Sequence, residues 1–306
     1  MCASRSKIGL VGVGDWGRHI LRDLRALGVD VEAVANSAAS VERARSGGAS
    51  RIVASAKELS EDCDGYVVAS PTTVHLDAVE ALLSRGKPIF VEKPLSNDIA
   101  RIRQLPPAAA GLVFTMHKWR YHPGILELAR IAATEEFGPV IGLRTFRMGW
   151  ENHHKDMNAI WTLLPHDMSI ALHIFGEVPS VENAHPDPTV VGDDGMIVHA
   201  RTSTGIPVVS EVSAGKPNKH RSVILACRDA ACELDDSSYD RIVIRRRNTL
   251  QTDEFEQRSV PADMPLREEV AAFLSHVEGG PAPFTGLDKE TLVVAAIQRA
   301  IDLAFG

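Results

Sequence analysis

Three glycines and one lysine carry the first chemistry legible in this chain. Gly12, Gly14 and Gly17 follow on an apolar run that starts at Lys7, and their Gly-x-Gly-x-x-Gly spacing predicts a dinucleotide site. The first glycine lets a strand turn sharply, the second lets backbone N–H groups approach a pyrophosphate, and the third lets the following helix pack on its strand. Asp15 and Trp16 then stand at the amino terminus of that helix, whose unpaired N–H groups attract anions. At the end of the next strand candidate, where an acid would meet the adenosine ribose, the chain has Asn36 and Ser37. The nearest arginines, Arg43 and Arg45, come one to two helical turns later, so NAD and NADP both stay open, with a lean to NAD. Ser70-Pro71-Thr72-Thr73-Val74-His75 reads as a loop opening a helix, in which Ser70 or Thr72 acts either as a cap or as a cofactor contact. Lys93, in Val91-Glu92-Lys93-Pro94, stands at the tip of a buried strand. Its ammonium either hydrogen-bonds a substrate oxygen or is simply solvated at a strand end.

Such groups need a scaffold that gathers strand ends. Residues 7–117 alternate short apolar runs with amphipathic stretches, the order of strand and helix units around a parallel sheet. Strands are predicted at 7–13, 30–35, 51–54, 65–69, 88–92 and 111–115, with helices at 16–27, 39–46, 73–85 and 97–104. After residue 118 the pattern changes. Helices at 123–135 and 159–175 flank a strand at 139–149, and period-two segments then follow between 195 and 245, as in a largely antiparallel sheet with one face buried. Helices return at 266–279 and 289–304. The expected fold is α/β: a Rossmann domain over 1–118 and an α+β domain on an open sheet over 119–306, which suits a length of 306 residues.

Composition narrows the partners. With 33 basic and 40 acidic side chains the net charge is −7, which offers no polybasic face to nucleic acid. No apolar run approaches the length of about 18 residues that a membrane span needs. Cys2, Cys63, Cys227 and Cys232 form no Cys-x-x-Cys pair, so neither a zinc site nor a disulfide framework is expected, and a reducing cytoplasm is the natural setting. His153 and His154 are adjacent and point apart, so no metal site is expected there either.

Several passages, in order, give the chain a resemblance to the glucose-fructose oxidoreductase, inositol dehydrogenase and rhizopine catabolism (Gfo/Idh/MocA) oxidoreductases. They include Gly12-Val-Gly-Asp-Trp-Gly17, Ser70-Pro-Thr-Thr-Val-His75, Gly86-Lys-Pro-Ile-Phe-Val-Glu-Lys-Pro94, Lys118-Trp-Arg-Tyr-His-Pro123 and Asn158-Ala-Ile-Trp-Thr-Leu-Leu-Pro-His-Asp167. The resemblance implies that Lys93 reaches substrate and nicotinamide ribose, that its bond to Pro94 is cis, and that His166 completes the acid/base pair. Gly12, Gly14, Asp15, Trp16, Gly17, Asn36, Ser37, Ser70, Pro71, His75 and Glu92 are then expected around the cofactor. Asp167 either orients His166 or pairs elsewhere. Trp119, Arg120, Tyr121 and Thr162 are candidates for substrate contact, the first three equally for packing at a domain boundary. One departure stands out: many similar sequences carry an aspartate four residues before the histidine, where this chain has Thr162, which can hydrogen-bond but cannot take a proton. Glu151, His153, His154 and Asp156 lie in a nearby loop that could compensate.

The expected activity is hydride transfer between NAD(P) and a secondary alcohol or ketone of a sugar, sugar nucleotide or cyclitol, in a homodimer or homotetramer. Two other readings remain: a reductase of imines or other small molecules on the same fold, and a sensor that binds dinucleotide without turnover.

Overall fold

The computed structural model describes residues 6–150, 156–235, 240–247, 255–262 and 264–306. Cys2, Glu151, His153 and His154 lie outside the described residues. The chain divides into two compact units, one of residues 1–118 with 266–294 and one of 119–265 with 295–306.

The first unit is built on β1 (Lys7–Val11), β2 (Asp30–Val34), β3 (Arg51–Val53), β4 (Gly65–Val68), β5 (Ile89–Glu92) and β6 (Val113–Met116). They form one parallel sheet in the order β3-β2-β1-β4-β5-β6. Between them run α1 (Gly17–Ala26), α2 (Ala38–Ser46), α3 (His75–Leu83) and α4 (Ile99–Gln104). The strands are buried on both faces, which is why they read as unbroken apolar runs: Tyr66, Val67 and Val68 are all 0% exposed. Helix α1 turns Ile20, Leu21 and Leu24 onto Ile8 and Leu10 of β1. The strand order reverses between β1 and β4, and ligands of such sheets bind beyond the carboxyl ends of the strands at that reversal. Gly12, Ser70 and Lys93 all follow strands on that edge.

The second unit carries a sheet of eight strands in the order β14-β13-β12-β11-β7-β10-β9-β8. These are β7 (Val140–Trp150), β8 (Ser180–Pro186), β9 (Gly195–Arg201), β10 (Pro207–Ser213), β11 (Gly215–Cys227), β12 (Ala230–Asp235), β13 (Arg241–Arg246) and β14 (Glu256–Ser259). All neighbours are antiparallel except β7 and β10. Helices α5 (Pro123–Thr134) and α6 (Ala159–Phe175) pack on one face of this sheet. Leu143, Thr145 and Arg147 of β7 are buried, whereas the intervening Arg144 is exposed. Two strands have no alternating apolar signal. β14 is Glu-Gln-Arg-Ser, and β8 places Glu182 and Asn183 in succession on the surface, across a register shift between Val181 and Asn183.

The last two helices, α7 (Pro265–Val277) and α8 (Leu287–Phe305), follow the second sheet in the chain. Packing nevertheless places residues 266–294 with the first unit, where a single cut after residue 118 leaves them in the second. The reason is aromatic and main-chain contact: Phe273 stacks on Phe90 of β5 at 4.9 Å between ring centres, and Thr115 N–H donates to the Thr285 carbonyl at 2.9 Å.

Candidate functional site

In the first unit the glycine loop has the shape a phosphate needs. Gly12 has φ +96°, and a Cβ there would come within 2.7 Å of the Ser70 backbone nitrogen. A Cβ on Gly17 would lie 2.2 Å from the Gly12 carbonyl oxygen, so both positions are closed to any side chain. At Gly14 a Cβ would meet nothing within 4 Å. Helix α1 begins directly behind this opening with Trp16 as its cap residue, no side-chain cap and no acid in its first turn. Arg18 N–H and His19 N–H turn back onto the Gly14 and Trp16 carbonyls at 3.2 and 2.9 Å, so the start of the helix offers a pyrophosphate chiefly the positive end of its dipole. The Ser70 hydroxyl oxygen, on the same edge, is buried with no hydrogen-bond partner among the described residues.

Asn36 and Ser37 are exposed beyond β2, but Ser37 serves its own helix. Its hydroxyl accepts from Ser40 N–H at 3.1 Å while Ser40 Oγ accepts from Ser37 N–H at 3.0 Å, a reciprocal cap of α2. Arg43, one turn on, reaches back to the glycine loop and donates to Asp15 Oδ1 at 2.8 Å. Pro71 is exposed and leads into the short 3-10 turn Thr72–Val74.

Around Lys93 the main chain is held by side chains. The Lys93–Pro94 peptide is cis. Glu92 accepts from Lys93 N–H at 3.0 Å through one carboxylate oxygen and from the Trp16 indole N–H through the other, which ties the glycine loop to the lysine turn. The Lys118 ammonium lies 4.7 Å from the centre of the Trp16 ring. Glu290 of α8 is fully buried and accepts from Leu95 N–H at 3.1 Å, while its other oxygen accepts from His117 Nε2 at 2.6 Å. His75, 1% exposed, is not turned outward as a cofactor contact would be: its ring nitrogens meet the Pro94 carbonyl at 3.0 Å and the Ser70 carbonyl at 2.8 Å. Glu269 of α7 is 1% exposed, and neither carboxyl oxygen has a hydrogen-bond partner among the described residues. Burial, and secondly the charge of Glu92, push its pKa well above the ordinary carboxylate value, with Lys118 opposing.

In the second unit His166 and Asp167 lie on α6, which starts at Asn158, whose side chain accepts from Trp161 N–H at 3.0 Å. His166 is half-buried. Asp167 points elsewhere: its Oδ1 accepts from Arg147 Nε at 3.2 Å and Nη2 at 3.1 Å, with both side chains almost wholly buried. Burial raises the pKa of Asp167 against the pull of Arg147. The Arg147 guanidinium lies 4.6 Å from the centre of the Trp119 ring, and Trp119 in turn stacks on His122 at 5.1 Å. Trp119, His122 and Arg147 line a small pocket with Arg221 and Asp235; Arg120 is buried and Tyr121 half-buried. Thr162, one turn before His166, is 6% exposed and donates its hydroxyl to the Ala159 carbonyl at 3.0 Å.

Arg147, His117, Glu269 and Glu290 carry much of this arrangement, and none was singled out from the sequence. A signal existed for the two acids. Glu269 shares a helical stripe with buried Leu266, Val270 and Phe273, and Glu290 one with Val293, Val294 and Ile297; an acid on an apolar stripe has to find a partner or a proton.

Comparison with known proteins agrees with this fold. Residues 6–112 match the model of an oxidoreductase family with an NAD-binding Rossmann fold, GFO_IDH_MocA. The rhizopine catabolism protein MocA of Rhizobium meliloti is 32% identical over 94 residues, a match spanning 30% of this chain and 30% of that protein's length. A myo-inositol dehydrogenase of Streptomyces leeuwenhoekii is 27% identical over 292 residues, 90% of this chain and 76% of the other. Among solved structures, a UDP-N-acetylglucosamine 3-dehydrogenase of Acidithiobacillus ferrooxidans superposes with a TM-score of 0.84 over 99% of this chain and 98% of that one, at 20% identity, a likeness of fold. Among the described residues no helix is long and apolar enough to cross a membrane.

Proposed function

We propose that this chain, similar over residues 6–112 to the Gfo/Idh/MocA oxidoreductases, is a member of that family and transfers hydride between a nicotinamide dinucleotide and a secondary alcohol or ketone of a sugar, sugar nucleotide or cyclitol. The observation that carries this reading is the side-chain link between the glycine loop and the lysine turn: Glu92 holds Trp16 with one oxygen and the Lys93 N–H with the other. A pure binder of phosphate would need the loop alone. The nicotinamide, when bound, supplies the hydride acceptor or donor. Gly12, Gly14 and Gly17 open the loop, and the uncapped start of α1 binds the pyrophosphate. Lys93 donates a hydrogen bond to the substrate oxygen and stabilises it as charge develops, and His166 takes or returns the hydroxyl proton. Asp167, engaged by Arg147, fixes the face of α6 from which His166 projects. Residues 1–118, with 266–294 packed on them, form the dinucleotide domain, and the rest of 119–306 forms the domain for substrate and for assembly as a homodimer or homotetramer. NAD is favoured over NADP, because Arg43, the cation nearest the end of β2, is already paired with Asp15.

The test is stopped-flow hydride transfer across a panel of cyclitols, hexoses, nucleotide sugars and cyclic imines. Turnover of a panel alcohol is expected, with NADH bound more tightly than NADPH. Lys93→Ala and His166→Ala are each expected to lower the hydride-transfer rate by about 10²- to 10⁴-fold; undiminished rates in both discard the assignment. Tight NADH binding with no turnover anywhere on the panel selects the sensor, and turnover of imines alone selects the imine reductase.

A further inference from the structure

Both ring nitrogens of His75 face main-chain carbonyl oxygens. Nδ1 lies 3.0 Å from the Pro94 carbonyl oxygen and Nε2 lies 2.8 Å from the Ser70 carbonyl oxygen. A carbonyl oxygen has no proton to give, so each ring nitrogen has to be the donor in its own contact. A neutral imidazole carries one N–H. In that form one contact would set a ring lone pair against a carbonyl lone pair at hydrogen-bond distance. With the residue 1% exposed, water cannot turn such a pair apart or replace it. The imidazolium carries two N–H groups, and both contacts then become charge-assisted hydrogen bonds, about twice as strong as neutral ones.

We propose that His75 is a positioning residue carried as an imidazolium, which donates to Ser70 and Pro94 together and so locks the loop after β4 to the turn after β5. The two carbonyls belong to neighbouring strands, since Val68 of β4 pairs with Val91 of β5, and beyond the strand ends no ladder hydrogen bond holds the chains together. The ring supplies that missing cross-tie immediately after Lys93. Glu290 grips the same turn at Leu95, so the lysine is held between one cationic and one anionic clamp. That this fixes the reacting amine rests on the assignment of Lys93 proposed above; the charge of His75 does not.

The test uses the full chain labelled with ¹⁵N-histidine, the His75 signals being those missing from His75→Gln. At about pH 7.5, a unit above the ordinary histidine pKa, both ring nitrogens are expected to carry protons that exchange slowly with water. A bare Nδ1 or Nε2 overturns the proposal. For the lock, hydrogen exchange is followed at the Lys93 and Leu95 amides, and acetylation of Lys93 by an N-hydroxysuccinimide ester is read by mass spectrometry. In His75→Gln, exchange at 93 and 95 is expected to rise at least tenfold and Lys93 acetylation at least threefold. Exchange at 66–68 and 89–91, and the other lysines, stay as they were. Unchanged rates at all of these positions overturn the lock. The wild-type spectrum decides the charge even if the variant misfolds. No readout passes through turnover, so a failure of the Lys93 assignment shows in the substrate panel and is not mistaken for a failure here.

Discussion

The turn at Lys93 and the helix at His166 carry the two groups assigned to the reaction, and the protein holds them by opposite means. The turn has no repeating ladder, so its main-chain groups are met one by one by side chains: Lys93 N–H by Glu92, the Pro94 carbonyl by His75, and Leu95 N–H by Glu290. The helix satisfies most of its own backbone, and hydroxyls beside the histidine bond within it, Thr162 to the Ala159 carbonyl and Ser169 to that of His166. A long-range tie beside the histidine is the buried ion pair of Asp167 with Arg147. A functional group on a loop thus demands several buried polar side chains gathered from distant segments, whereas one on a helix needs fewer, because the helix supplies most of its own hydrogen bonds. The first arrangement spreads its risk and the second concentrates it.

That difference predicts the largest effect at the buried ion pair. Arg147→Met leaves the Asp167 carboxylate buried without its partner and is expected to cost about 3–5 kcal/mol of stability in urea unfolding. Removing both charges in Arg147→Met/Asp167→Leu should recover most of that loss; a double variant as unstable as the single would mean that the pair is not what holds this part of α6. Next comes one strut of the turn. Glu290→Ala strands Leu95 N–H and the His117 ring, at about 1–3 kcal/mol for a buried group left unsatisfied. Thermal unfolding and hydrogen exchange at Leu95 check it, and a local rise in exchange that exceeds the global loss is the expected pattern.

The same contrast decides what could be read from the sequence. The parallel sheet was legible because its strands are buried on both faces, and α1 because Ile20, Leu21 and Leu24 recur with helical spacing. The glycine loop was legible because only glycine fits at Gly12 and Gly17, so the residue types report the geometry directly. The struts were not. Glu290 lies 195 residues from the Leu95 it supports, and no local period records a pairing of that separation. β8 and β14 went unread because, at the two edges of the second sheet, water takes the place of an apolar neighbour and the alternating pattern is lost.

Smaller effects sharpen the comparison at Glu269, the buried acid behind the turn. Its folded-state pKa is raised, so folding takes up a proton; that contribution is complete below the unfolded pKa of about 4.3 and is lost as pH rises through the folded value. Glu269→Gln keeps the shape and cannot ionise. Its melting temperature should therefore sit near that of wild type at about pH 5 and move above it with increasing pH, in the direction that the raised pKa dictates. A gap that shrinks with rising pH would mean that the carboxylate is charged and satisfied in the folded protein.

The smallest change in stability is expected at Gly14, where it says the most. A methyl group there meets nothing within 4 Å, so Gly14→Ala should unfold at the wild-type urea midpoint, whereas Gly17→Ala, with its Cβ 2.2 Å from a carbonyl oxygen, should not. The space in front of Gly14 has value only when something fills it. If that something is the pyrophosphate of a dinucleotide, the added methyl stands where backbone N–H groups have to approach phosphate oxygens, and NADH affinity should fall by about tenfold or more, about 1.4 kcal/mol. Equal affinity in Gly14→Ala and wild type would show that the opening faces solvent, and the glycine loop would then be a turn between β1 and α1 and nothing more.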